Sequence, residues 1–436
     1  MDQNQHENHE NHSEHSHHSE HSHHSEHSHH SHHSHHSHHS HHKHHSKHKS
    51  HNAKKKISFS IRKTALVLSV IALVLSITAV VGAIVLQSSV YGLKYNAENS
   101  ENDKNNSQPS SDTNTSKPTE SQDENIPEYW IPALEKGAKE INIALAEAGK
   151  SKSAFLFYSD AHWNVAAKNS PLLLRYLYEN TGMNKTIFGG DIVSDESAEY
   201  DEMSYLWTWR RMIKDLPNHH SVVGNHDDGN ATNNLFSENY VYSYLIGAEE
   251  TPDMVMGEGF YYYIDNPAEQ TRYLYLDTAY KGFDDAQRAF VNNALLTTPD
   301  KWHVVATAHI WYDTDYTTNP PRVAGISDDA REILSIFDSY NARAGEFAES
   351  TGRVEFCIGG HTHQDYDGRS DGGIPIILVE TASEQVRNGK TDPQYTYMEN
   401  SATETAVSGI IADYSNRKIT VVRVGRGVSR IVPLPN

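Results

Sequence analysis

Five short apolar runs organise this sequence, and each ends on Asp, Asn or His. Ala154–Ser159 leads into Asp160-Ala161-His162, and Thr186-Ile187-Phe188 into Gly189-Gly190-Asp191. Ser221-Val222-Val223 leads into Gly224-Asn225-His226-Asp227, Val304–Ala308 into His309, and Val354–Ile358 into Gly359-Gly360-His361-Thr362-His363. Short apolar runs bounded by glycine predict buried strands. Parallel strands deliver their carboxyl ends to one edge of a sheet, so residues just beyond those ends converge in one crevice. Few folds satisfy five such runs at once, because distant segments must become neighbours with their polar residues on the same side.

The converging residues share a chemistry. Asp160, His162, Asp191, Asn225, His309, His361 and His363 are nitrogen or oxygen donors, with no thiolate among them. Such a set suits Mn, Zn or Fe rather than a structural cysteine-type zinc site. Seven donors exceed one tetrahedral site and fit two divalent ions, with Asp191 as the bridge. A pair of ions about 3.5–4 Å apart clamps the attacking and leaving oxygens of an in-line displacement at phosphorus and lowers the pKa of bound water. A lone His is more often a satisfied buried residue than a ligand. His219, His220 and His303 are read that way, and Cys357 is read as a core residue.

The five blocks, in this order from Asp160 to His363, resemble the calcineurin-like metallophosphoesterase superfamily, whose pattern is D-x-H, GD, GNH-D/E, a lone H and G-H-x-H. The resemblance implies a four-layer αββα sandwich. It implies that Asp160, His162, Asp191 and His363 hold one ion and that Asp191, Asn225, His309 and His361 hold the other. A hydroxide bridging the ions would attack a phosphomonoester or phosphodiester in line. His226 would bind no metal; it would stabilise the transition state and protonate the leaving oxygen, a task suited to an imidazole. Asp227 would orient His226. Purple acid phosphatases carry Tyr three residues beyond the bridging Asp; Ser194 stands there in this chain, so a tyrosinate–iron site is not expected. Asp365, two residues past His363, is a further candidate for supporting the ligands.

The rest of the chain sets the location of this chemistry. Of its 32 His, 24 lie before Lys54, in a His/Ser/Glu tract with almost no apolar side chains. Residues 1–53 cannot offset the entropy of ordering and are expected to be a disordered tail. Loose metal binding by its many imidazoles is one reading; a solvated low-complexity segment is the other. A basic segment follows at 54–63, and no charged residue occurs between Lys63 and Lys94. Residues 64–90 are long and apolar enough for one transmembrane helix. Lys and Arg on its amino side predict a cytoplasmic amino terminus and an extracellular remainder, anchored in the cell membrane in single-pass fashion. Residues 91–125 read as a flexible, disordered linker. The chain carries a net charge of −20, and the acidic excess lies beyond residue 95, which argues against nucleic acid as the main partner. The single cysteine excludes an intrachain disulfide, which for an exported protein suggests a bacterium without an oxidising surface compartment.

Residues 126–436 hold the globular part. Helical and strand patterns alternate at first, and strands crowd the end. That order predicts an α/β fold of two packed mixed β-sheets flanked by helices. The segments Asp228–Gly259, with Tyr240, Tyr242 and Tyr244, and Trp311–Arg322, with Tyr312, Tyr316 and Arg322, are candidate substrate loops; ordinary loop packing is the competing account of their rings. The expected activity is that of a two-metal phosphoesterase acting on a small phosphorylated substrate outside the membrane. The alternative is a non-catalytic surface protein that binds a ligand or metal on the same fold.

Overall fold

The computed structural model describes residues 125–163, 167–194, 199–214, 216, 218–227, 238–247, 251–280, 282–383 and 393–436. The expected tail, basic segment and membrane span, and the linker up to residue 124, lie outside the described residues. Among the described residues no helix is long and apolar enough to cross a membrane.

The elements begin with α1 (Ile131–Glu147), β1 (Lys152–Tyr158), α2 (Ser170–Asn180), β2 (Thr186–Phe188), α3 (Glu199–Ile213) and β3 (His219–Ser221). The strands β4 (Met254–Met256), β5 (Tyr262–Asn266) and β6 (Thr271–Leu276) follow, then α4 (Asp285–Leu296) and β7 (His303–Ala308). A hairpin of β8 (Tyr312–Asp315) and β9 (Arg322–Ile326) leads to α5 (Asp328–Asn341) and β10 (Arg353–Gly359). The chain closes with β11 (Tyr366–Arg369), β12 (Pro375–Leu378), β13 (Ala406–Asp413), β14 (Lys418–Gly425) and β15 (Arg430–Pro433).

Sheet one has the order β15-β14-β13-β1-β2-β3, and sheet two the order β11-β12-β10-β7-β6-β5-β4. Both are mixed. β1, β2 and β3 are parallel, and β13, β14 and β15 extend the sheet from β1 through successive antiparallel pairings. β6, β7, β10 and β12 are parallel, with antiparallel strands at both edges. Helix α1 buries Leu134, Gly137, Ala138 and Ile141, the i, i+3, i+4, i+7 stripe of an amphipathic helix, and packs on β14. Helix α5 starts at Ser327, whose hydroxyl accepts from the Ala330 N–H at 3.3 Å, and turns Ile333, Leu334 and Phe337 inward. With α4 it covers the outer face of sheet two, which gives the expected layering of helices outside two sheets.

The sheets meet through aromatic side chains. Phe155 of β1 stacks on Phe356 of β10 at 6.5 Å between ring centroids and meets Tyr273 of β6 edge-on at 6.0 Å. Every residue of β1 after Lys152 is buried, which explains why the strand reads as one unbroken apolar run. The third motif strand differs from expectation. Pairing with β2 runs over His219–Ser221, and Val222 and Val223 follow it as a buried exit. The histidines there are ladder residues, so the apolar pair marks the strand's end rather than its centre. The segment Trp311–Arg322, expected as a loop, holds β8 and the turn that leads into β9.

Phe155→Ala should destabilise the domain by about 3–5 kcal/mol, the usual range for emptying a large aromatic site in a packed core. Urea unfolding checks this, and a change under about 1 kcal/mol would show that the two sheets do not depend on this contact.

Candidate metal centre

The topology brings ligand-type residues from both sheets to one place. Asp160 leaves β1, Asp191 follows β2 and Asn225 follows β3; His309 leaves β7, and His361 and His363 leave β10. The ligand atoms of Asp160, His162 and His363 lie within 4.8 Å of one another, as do those of Asp191, His309 and His361. Asp191 reaches both groups, with Oδ2 at 2.9 Å from His309 Nε2 and 3.9 Å from His162 Nε2. Asn225 Oδ1 lies 3.0 Å from His361 Nδ1. All seven sequence-selected donors therefore meet in one cluster.

The backbone is bent to achieve this. Asp160, His162, Asp191, His361 and His363 all have left-handed φ values, between 40° and 69°. Such conformations carry strain in non-glycine residues, and strained residues cluster where function requires them. Glycine gives the chain room at two points. A Cβ on Gly224 would overlap Asp191 Oδ1, and one on Gly360 would overlap Asp160 Oδ2.

Carbonyls set the imidazole orientations. His162 Nδ1 lies 3.2 Å from Val193 O, and His309 Nδ1 lies 2.7 Å from Gly189 O. An Nδ1–H donated to a carbonyl leaves Nε2 as a lone pair aimed inward. His162 Nε2 and His363 Nε2 face each other at 3.0 Å, and His363 Nε2 is 3.3 Å from Asp160 Oδ1. Asp160 Oδ2 is buried with no hydrogen-bond partner, and His309 Nε2 is buried against the Asp191 carboxylate. Buried polar groups normally find a partner. Converging lone pairs and an orphaned carboxylate oxygen are what a pair of divalent cations would satisfy, so the residues fit such a group.

His226 and Asp227 take different positions. The backbone N–H of His226 donates to Asp191 Oδ1 at 2.9 Å, and its Nδ1 lies 3.1 Å from Ser194 O. Its side chain is 28% exposed, and Nε2 is 3.9 Å from Asp191 Oδ2. Asp227 was expected to orient this ring. Instead its buried carboxylate accepts backbone N–H groups from Gly224 at 2.8 Å, Asp191 at 3.0 Å and Ile192 at 2.7 Å. It ties the turn after β3 to the turn after β2, and the carbonyl of Ser194 holds the ring. No sequence signal identifies the carbonyls of Gly189, Val193 and Ser194, since every residue carries one.

Other expectations resolve in the same way. The half-buried His303 bridges Ser151 and Glu355, and the buried His219 meets the Tyr158 hydroxyl, both in structural roles. His220 is buried against Tyr262 and Tyr275. Asp365 pairs with Arg423 and Arg430. Tyr240 and Tyr244 pack on each other, and Tyr312 packs on Tyr366, whereas Tyr316 and Arg322 are exposed. Gln364, next to His363, donates to Pro321 O at 2.9 Å and pins the β8–β9 hairpin beside the cluster.

Burial pushes the His162 and His361 imidazoles down to about 3, with the facing His363 and His309 adding to the shift. Burial also opposes charge on His309, but Asp191 outweighs it and lifts this imidazole to about 9. Burial raises the Asp160 and Asp191 carboxyls, yet the imidazoles around them hold both below the ordinary carboxylate value. Burial and the Asp191 charge carry Asp227 up to about 7, against the backbone N–H groups it accepts.

These shifts give the metal-stripped protein a stability optimum. Below about pH 6.5 the unfolded chain protonates the imidazoles of His162 and His361, while the folded chain refuses those protons until about 3. Stability should therefore fall with pH across that window, by up to about 1.4 kcal/mol per unit per group. His309 and Asp227 act in the opposite sense: their folded values are raised, so their contributions are lost as pH rises through about 9 and 7. Urea midpoints of the chelated protein near pH 5, 7 and 9 should peak at the middle value; a steady rise towards pH 9 would contradict the assignment.

Comparison with known proteins bears on this cluster. The profile of the family described as calcineurin-like phosphoesterase matches residues 153–365, which span the five blocks. Among solved structures, the chain is similar to a dimetal phosphatase from Danio rerio, at 14% identity and TM-score 0.46, over 65% of this chain and 99% of that one. It is also similar to a purple acid phosphatase from yellow lupin seeds, at 10% identity and TM-score 0.42, over 66% of this chain and 53% of that one. A third similarity is to the NAD nucleotidase of Haemophilus influenzae, at 10% identity and TM-score 0.32, over 65% of this chain and 49% of that one. No curated protein matches the chain by sequence. The family match runs from β1 to just past the last ligand block, and the domain that carries it belongs to the calcineurin-like phosphoesterases, metal-dependent hydrolases of phosphate esters.

Proposed function

We propose that this domain hydrolyses a small phosphomonoester or phosphodiester on the outer side of a membrane, using two divalent ions drawn from Mn, Zn or Fe. The observation that carries the reading is the meeting of two largely buried ligand-type groups on Asp191. In this reading Asp160, His162, Asp191 and His363 hold one ion, and Asp191, Asn225, His309 and His361 hold the other. Such a pair, when bound, supplies Lewis-acid stabilisation of phosphoryl charge and makes a water nucleophile available near neutral pH.

The chain's own residues supply the rest. His226 keeps Nδ1 on the Ser194 carbonyl, which leaves Nε2 at the mouth of the cluster to give a proton to the departing oxygen. Asp227 fixes the two turns that carry Asp191 and Asn225. The hairpin pinned by Gln364 borders the cluster, and its exposed Tyr316 and Arg322 are the side chains proposed to meet the substrate. Residues 64–90 anchor the chain, with the His-rich tail in the cytoplasm. The exposed location favours a nucleotide or wall-polymer fragment over a phosphoprotein.

Asp191→Asn should lose both ions, by elemental analysis, together with turnover of generic phosphoesters. His226→Ala should keep both ions and lose rate by about 10²-fold or more. Equal metal loss in the two variants would refute the division of roles. For the topology, protease added to intact cells should cut between residues 97 and 125; complete protection would overturn the outward orientation.

A further inference from the structure

One buried side chain with four hydrogen bonds near the cluster belongs to none of the five blocks. Arg426 is fully buried just beyond the end of β14, past the residues that the family profile matches. Its guanidinium reaches two separate segments. Nη1 donates to the carbonyls of Thr403 at 3.0 Å and Glu404 at 3.2 Å, which lead into β13 of sheet one. Nη2 donates to the carbonyls of Thr381 at 2.6 Å and Ser383 at 2.5 Å, in the segment leaving β12 of sheet two. The remaining carbonyl of that segment, on Ala382, accepts from the Thr405 hydroxyl at 2.6 Å.

The clamped segment lies against the first ligand. Thr381 Oγ1 donates to the backbone carbonyl of Asp160 at 2.7 Å, and the Ala382 N–H donates to Ser159 O at 2.9 Å. The Thr381 hydroxyl is itself fixed, since it accepts from the Ser383 N–H at 3.0 Å. Asp160 has a φ of 53°, a conformation that a non-glycine residue keeps only when its surroundings impose it. Topology explains the contact. β12 is parallel to β10, so its exit emerges beside His361, while β13 is antiparallel to β1, so its entry lies beside Asp160.

Accepting the two-ion reading above, we propose that Thr381 and Arg426 are positioning residues for the ion held by Asp160, His162 and His363. Arg426 joins the two sheets at their ligand-bearing edge, and Thr381 passes that constraint to the Asp160 backbone. The separation of the sheets matters at this point because the ligand group takes Asp160 and His162 from sheet one and His363 from sheet two. A planar fork of five donors can bridge four carbonyls; a lysine ammonium has one nitrogen and cannot span both segments.

The test uses the full chain, stripped of metal and titrated calorimetrically with Mn²⁺, alongside thermal unfolding. Thr381→Val keeps the side-chain shape and removes the hydroxyl. It should weaken one of the two Mn²⁺ by about 10–100-fold, the usual effect of losing a group that orients a ligand, and leave the other nearly unchanged. Thr381→Ser should restore wild-type binding, and Arg426→Lys should weaken the same Mn²⁺ as Thr381→Val. Turnover of Thr381→Val should recover at high Mn²⁺. Wild-type affinity for both ions in Thr381→Val would overturn the proposal while leaving the two-ion reading intact. So would weakening of both ions alike, in step with a lower melting temperature. A wild-type chain that takes up no Mn²⁺ would overturn the two-ion reading and this inference with it.

Discussion

Electron-pair donors do not gather in a buried space unaided. Here two carboxylates and four imidazoles lie within a few ångströms of each other, nearly all out of water, and one carboxylate oxygen, Asp160 Oδ2, has no partner. Without a cation between them they repel or must capture protons, and the opposed shifts of His162 and His309 express that conflict. The rest of the fold holds the cluster together against it. Strand ends aim the ligands, left-handed turns bend their backbones inward, and the Asp227 carboxylate ties two of those turns by their N–H groups. A cation pair is the arrangement in which all of these costs are relieved at once.

The two-sheet architecture is what makes such a cluster possible. One sheet alone would deliver its ligands along a line. Two sheets packed through Phe155, Phe356 and Tyr273 bring two such lines face to face, with Asp191 reaching both ligand groups. Precision at the cluster then depends on how firmly the sheets are fixed at that edge. A buried guanidinium spanning both is a more directional fastener than aromatic packing, because its hydrogen bonds specify distance and angle together.

Much of this was legible in the chain itself. The buried strands β1, β7 and β10 announce themselves as apolar runs, since both faces are covered. The helices α1 and α5 show their apolar stripes. The strands without such a signature are short edge or hairpin strands: β4, β8, β9, β11 and β15. Edge strands need only one buried face or none, so they leave no periodic trace. His219 and His220 shift β3 two residues upstream of the expected Ser221–Val223, because they are polar residues buried by tertiary contacts.

The identity and order of the candidate ligands were set by sequence alone, because donor chemistry belongs to the side chain and strand periodicity places it. What holds each ligand was decided only by the tertiary structure. The expected partnership of Asp227 with His226 gave way to backbone N–H groups and the Ser194 carbonyl, and the contact of Thr381 with Asp160 joins residues 221 positions apart. Backbone carbonyls and amides are present at every position, so no residue type marks which of them will be used. Only the packing of one sheet on the other selects them.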